Sequence, residues 1–139
     1  MIAEERCIVV DIDGTICQIK GRHESYETLE PCAELVSKLR DYRAAGFYII
    51  LYTSRNMRTY EANLGRIMAK TARFTLDWLD RNDVPYDEIH FGKPWAGRTG
   101  FYVDDRAVRP DEFLRLSLNE IMELLEGKQA KATTVSAHE

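Results

Sequence analysis

The chain has 139 residues, 45% of them hydrophobic and 30% charged, with 19 basic against 23 acidic residues and a net charge of -4. That length suffices for one domain with a buried core, and the balance is ordinary for a globular protein. The acidic excess argues against a general nucleic-acid binder, because no positive field draws in phosphate backbones.

The N-terminus, MIAEERC, runs straight into an apolar strand without the basic region and apolar core of a signal peptide, and no stretch approaches about 18 apolar residues. A cytoplasmic protein without a membrane span is expected. Cys7, Cys17 and Cys32 have no CxxC spacing and read as thiols in a reducing compartment. The first predicted strand is Cys7-Ile8-Val9-Val10. The polar stretch from Ile16 to Glu30 is too short for an inserted domain and reads as a flap. Pro31 opens a helix with Leu35, Val36, Leu39 and Tyr42 on its apolar positions, and Gly46 ends it. A second strand spans Phe47 to Tyr52. Tyr60, Leu64, Ile67, Met68, Thr71, Thr75 and Trp78 then recur at near-helical spacing, with Pro85 beyond. A third, weaker strand covers Glu88 to Phe91 with His90 inside it, and a fourth covers Gly100 to Val103. Ser117 and Glu120 form a capping box for a last helix through Ile121, Leu124 and Leu125. From Gly127 no apolar period remains, so residues 127–139 read as a mobile tail and 1–126 as the domain. The alternation predicts an α/β fold: a single-domain, Rossmann-like parallel sheet with helices on both faces.

In such a sheet, ligands bind beyond the carboxyl ends of the strands. Those ends read Asp11-Ile12-Asp13-Gly14-Thr15, then Thr53-Ser54-Arg55, then Gly92-Lys93-Pro94, then Asp104-Asp105-Arg106. Phosphoryl transfer through an aspartyl-phosphate needs this set. One carboxylate attacks phosphorus, and a second, two residues on, protonates the leaving oxygen and later deprotonates water. An anionic nucleophile meets an anionic phosphate only if charge is neutralised, so a divalent cation is implied. Hard oxygen ligands at Asp11 and the late Asp pair suit Mg2+. Lys93 adds positive charge, and Thr53 with nearby N–H groups can hold the phosphoryl oxygens. Each piece has a blander reading: an acidic strand-end turn at Asp11 and Asp13, a helix cap at Thr53, a solvated Lys93, a turn at Asp104-Asp105. An EF-hand fails because Gly14 would put Val9 at the first ligand position. The joint order on one sheet edge decides for phosphoryl transfer.

DIDGT, the strand ending in Thr53, Lys93 and the YVDD segment resemble, in order, the four motifs of the haloacid dehalogenase-like hydrolase superfamily, across Cys7 to Phe113. The resemblance implies Asp11 as nucleophile and Asp13 as general acid/base, the latter also binding the metal through its backbone carbonyl. It implies Asp105 as a Mg2+ ligand supported by Asp104. Of the two slots in which the superfamily inserts a cap domain, Ile16 to Glu30 is too short to hold one and the stretch between Thr53 and Lys93 reads as only a long helix and a strand, so the chain looks like a capless member. The wording GKPWAGRTGFYVDDRAVRPDEF resembles small phosphatases of capsular or surface-polysaccharide biosynthesis, which implies a small phosphorylated sugar as substrate. Ser54, Arg55, Trp95 and Arg106 are candidates for substrate contact, with surface salt bridges as the alternative for the arginines. Capless relatives often oligomerise, and a homo-oligomer would narrow an open entrance.

Two rival functions stay in view. A polynucleotide 3'-phosphatase shares the chemistry, but the acidic balance and the lack of a basic or aromatic groove disfavour it. A receiver-like phosphoacceptor domain would carry its phosphorylated Asp on a middle strand, where this chain has Thr53.

Overall fold

β1 (Cys7–Asp11), β2 (Tyr48–Thr53) and β3 (Glu88–Phe91) form a parallel sheet in the order β1-β2-β3. The structure is a computed structural model that describes residues 6–137, with side chains as far as 127. The register pairs Asp11 with Tyr52, and Thr53 with Phe91, so the carboxyl ends of all three strands reach one edge. The chain is thus α/β and Rossmann-like, with helices between its parallel strands. It divides into two compact units, Met1–Trp95 and Ala96–Glu139.

In the first unit, α1 (Ala33–Ala44) connects β1 to β2 and buries Leu35, Val36, Leu39 and Tyr42, the positions its apolar spacing predicts. The second connection holds α2 (Leu64–Ile67), a π-turn (Met68–Ala72) and α3 (Arg73–Arg81) as one interrupted helix. Asn63 caps its start, its side-chain oxygen accepting from the Arg66 N–H at 3.1 Å. The helix therefore begins after Tyr60 rather than at it. Both crossovers step the same way along the sheet, so the right-handed rule puts α1 and α3 on the same face. Burial agrees. Ile49, Leu51 and Thr53 of β2 are 0% exposed, whereas Val9, on the opposite face of β1, is 63% exposed. Trp78 lies wholly inside, and its indole N–H donates to the Leu29 carbonyl at 2.8 Å, tying the flap to α3. Each such buried apolar side chain contributes roughly 1.5–3 kcal/mol. Neither connection carries an inserted domain. The flap has one 3-10 turn, Tyr26–Thr28.

The second unit holds α4 (Pro110–Arg115) and α5 (Leu118–Ala137). The predicted capping box is present: Glu120 N–H donates to Ser117 Oγ at 3.2 Å, and Ser117 N–H to Glu120 Oε1 at 3.0 Å. Two expectations need correction. Gly100 to Val103 is not a strand; Phe101 is 80% and Val103 89% exposed. A strand exists only as one side of a ladder, and apolar spacing says nothing about whether a free edge is at hand. The segment from Gly127 is helical as far as Ala137, because Lys, Gln and Ala propagate a helix that has already been nucleated, whether or not an apolar face continues. The final two residues of the predicted tail lie outside the described residues. Among the described residues no helix is long and apolar enough to cross a membrane.

Candidate active site

The strand-end turn is built around Ile12, whose carbonyl accepts from the N–H groups of Thr15, Ile16 and Cys17 at 2.9–3.2 Å. Gly14 sits at φ +90, a left-handed conformation that a side chain would strain, and its N–H donates to the Cys17 carbonyl at 2.7 Å. The Asp13 carbonyl oxygen is not used by this turn. The turn displays two carboxylates two residues apart and gives them different surroundings.

Asp11, at the end of β1, meets Lys93. Nζ lies 3.2 Å from Oδ1, with the two side chains 19% (Lys93) and 26% (Asp11) exposed. Gly92, at φ +91, turns the chain out of β3 to present this lysine, whose N–H donates to the Thr53 carbonyl at 3.0 Å. Thr15 Oγ1 donates to Asp11 Oδ2 at 3.3 Å. Burial pushes the Asp11 carboxyl above its ordinary value, and the charge and hydrogen bond of Lys93 pull against that rise.

Asp13 is held from the other side. Arg55 Nε donates to both of its oxygens, at 3.1 and 3.0 Å, and Thr53 Oγ1 donates to Oδ2 at 3.1 Å. The Arg55 side chain is 0% exposed and that of Asp13 17%. Arg55 Nη1 reaches Thr75 Oγ1 at 3.3 Å and Nη2 the Cys17 sulfur at 3.8 Å, while its guanidinium carbon sits 4.3 Å from the Tyr26 ring centroid. Burial, then the Asp13 charge, push the Cys17 thiol up to about 12, against the pull of Arg55.

Two sequence expectations change here. Arg55 does not face a substrate, because its guanidinium is inside the protein and taken by Asp13, Thr75 and Cys17. Thr53 does not offer its hydroxyl to a phosphoryl group in this arrangement. A hydroxyl has one proton, and that proton goes to Asp13 while the oxygen accepts from the Arg55 N–H at 3.0 Å. Ser54 is half-buried next to it. Trp95 is 45% exposed, and the Arg58 guanidinium lies 5.6 Å from its ring centroid. Asp104, Asp105 and Arg106 lie in the second unit and are exposed. There the Arg106 N–H donates to Asp104 Oδ1 at 3.3 Å, and this backbone hydrogen bond leads the causes that hold the Asp104 carboxyl below its usual range.

Sequence reasoning missed Tyr26, Cys17 and Thr75 as neighbours of the site. Thr71 and Thr75 did carry a signal. Two hydroxyls in an otherwise apolar helical stripe announce polar partners inside the protein. Thr71 Oγ1 donates to Asn56 Oδ1 at 2.7 Å, and Thr75 receives Arg55.

The strand-end donors available to a cation are hard oxygens: the Asp11 carboxylate and the Asp13 carbonyl. Mg2+ takes one or two protein carboxylates and fills its octahedron with water and phosphate, so this set suits it. The Asp13 carboxylate is engaged by Arg55 and Thr53. Among the described residues no three His, Cys, Asp and Glu side chains form a ready-made metal group.

No family model matches the chain, and no curated protein does. A crystal structure of a structural-genomics target from Vibrio cholerae is similar, with 46% identity over 88% of this chain and 98% of that chain and a TM-score of 0.84.

Proposed function

The chain belongs to one family with the Vibrio cholerae protein, and we propose that it is a Mg2+-dependent phosphomonoester hydrolase working through an aspartyl-phosphate at Asp11. One observation carries the reading: two carboxylates on one turn, Asp11 facing Lys93 and Asp13 held apart by Thr53 and Arg55. Carboxyl groups kept in contrasting surroundings are how one site divides nucleophile from acid/base.

An Asp11 oxygen attacks phosphorus, and the bond to the leaving oxygen breaks as that oxygen takes a proton from Asp13, which enters the step as the carboxylic acid, protonated by the water of the preceding turnover. Asp13, now ionised, takes a proton from water, whose oxygen attacks the same phosphorus. Phosphate leaves, and Asp11 regains its carboxylate. Lys93 orients Asp11 and offsets charge on the incoming phosphate. Asp11 and the Asp13 carbonyl would hold the Mg2+, which would neutralise charge between nucleophile and phosphate.

For the substrate we propose a small phosphorylated sugar or polyol on a route to a surface polysaccharide. Neither connection carries a cap, and the half-exposed Trp95 ring, two residues past Lys93, is suited to stack on a sugar face. The test is a phosphate-release screen with Mg2+ across sugar phosphates, nucleotides and 3'-phosphorylated oligonucleotides, run beside Asp11→Asn. Asp11→Asn should release no phosphate while remaining folded, and near-wild-type turnover would sink the mechanism. An oligonucleotide cleaved far better than every sugar phosphate would overturn the substrate class alone.

A further inference from the structure

Arg55 is an expensive residue to place where it lies. A guanidinium withdrawn from water loses its hydration, and apolar side chains of similar volume often stabilise a core as well or better. Here its contacts converge on one carboxylate. Nε is nearly equidistant from the two Asp13 oxygens, at 3.1 and 3.0 Å, which fixes the carboxylate plane on the Arg55 side. Thr53 at Oδ2 opposes the remaining rotation. The guanidinium is itself immobilised, by Thr75 at 3.3 Å, by Cys17 at 3.8 Å and by the Tyr26 ring 4.3 Å away. Thr75 in turn donates to the Thr71 carbonyl at 2.9 Å, beside the π-turn. Tyr26 belongs to the flap and stacks on Phe74 of α3 with ring centroids 5.9 Å apart. A chain of packed groups thus runs from flap and helix to the exposed 17% of Asp13.

We infer that Arg55 is a positioning residue that sets the orientation of the Asp13 carboxylate toward the reacting phosphoryl group, and that Tyr26 holds Arg55 in that pose. The inference rests on the reading of Asp13 as acid/base. A group misplaced by about 1 Å costs about 100-fold in rate, so the loss belongs in kcat rather than in substrate binding.

The experiment is a double-mutant cycle on glycerol phosphate, whose alkoxide leaving group needs a proton, with the full chain and Mg2+, each variant first checked for a cooperative melt. Arg55→Lys keeps the charge and loses the planar grip. It should lower kcat about 10- to 100-fold with KM within about 3-fold. In an Asp13→Asn background the same change should cost less than about 3-fold, because the group it positions no longer acts. Tyr26→Leu, which leaves the ion pair intact, should give a smaller kcat loss that likewise vanishes in that background. Equal fractional losses in both backgrounds, or a loss carried by KM, overturn the positioning role while leaving the phosphatase reading intact. Activity that needs Asp11 but ignores Asp13→Asn overturns the acid/base assignment and this inference with it. A wild-type protein that releases no phosphate overturns both.

Discussion

Truncating Asp13 to Ala tests the buried ion pair by its effect on stability. The change leaves the Arg55 guanidinium, with a side chain 0% exposed, without its carboxylate and with the Thr75 hydroxyl, the Cys17 sulfur and the Tyr26 ring as neighbours. Breaking a buried pair by removing one partner costs about 3–5 kcal/mol, since the remaining charge is uncompensated. The Asp13 side chain is 17% exposed, so water can enter the vacated space, and the low end, about 3 kcal/mol, applies. For a chain of this length that lowers the melting temperature by about 10 °C. Asp13→Asn keeps the volume and one acceptor, so its cost should be about 1–2 kcal/mol. Adding Arg55→Met to Asp13→Ala removes the stranded charge and should recover most of the loss. Equilibrium thermal unfolding followed by circular dichroism reads all four proteins. A melting temperature for Asp13→Ala within about 2 °C of wild type, or no recovery on adding Arg55→Met, refutes the reasoning.

Lys93→Met should move the acid limb of kcat/KM to higher pH. Lys93 favours the ionised form of Asp11 against a burial that already raises its pKa, and the nucleophile must be ionised to attack. An acid limb that stays put or moves down contradicts this. Chelation should silence phosphate release and Mg2+ restore it, with Ca2+ inhibitory because its looser coordination misplaces the nucleophile. Raising salt should weaken substrate binding only shallowly for a sugar phosphate, whereas a steep fall in affinity is the mark of counterion release from a polynucleotide.

The placement of Asp11, Asp13 and Lys93 at one sheet edge was legible because strand ends in a parallel sheet share an edge whatever the packing behind them. The destination of Arg55 was not. An arginine one residue past Ser54 looks solvent-facing in a linear string, and its interior berth is made by residues distant in sequence, among them the ring of Tyr26, 29 residues upstream, and the hydroxyl of Thr75, 20 residues downstream. Thr53 misled for a related reason. A hydroxyl at a strand end can serve a ligand or a neighbour, and here the neighbour is Asp13. The Phe101 to Val103 run reads as a strand because its residues have the composition for one, but composition cannot supply a ladder partner. The capping box at Ser117 and Glu120 succeeded because it is a local device, complete within four residues.

Cys17 gives this arrangement a built-in optical handle. The thiol is buried and its pKa is pushed up to about 12, so it stays protonated at neutral pH and maleimides and peroxide find little nucleophile there. Cys7 and Cys32 are more accessible to such reagents. Once those two are replaced by Ser, any labelling that remains reports how often the pocket shared by Cys17, Arg55 and Asp13 comes open. A fluorophore-coupling rate then becomes a clock for motion of the flap, readable without a substrate.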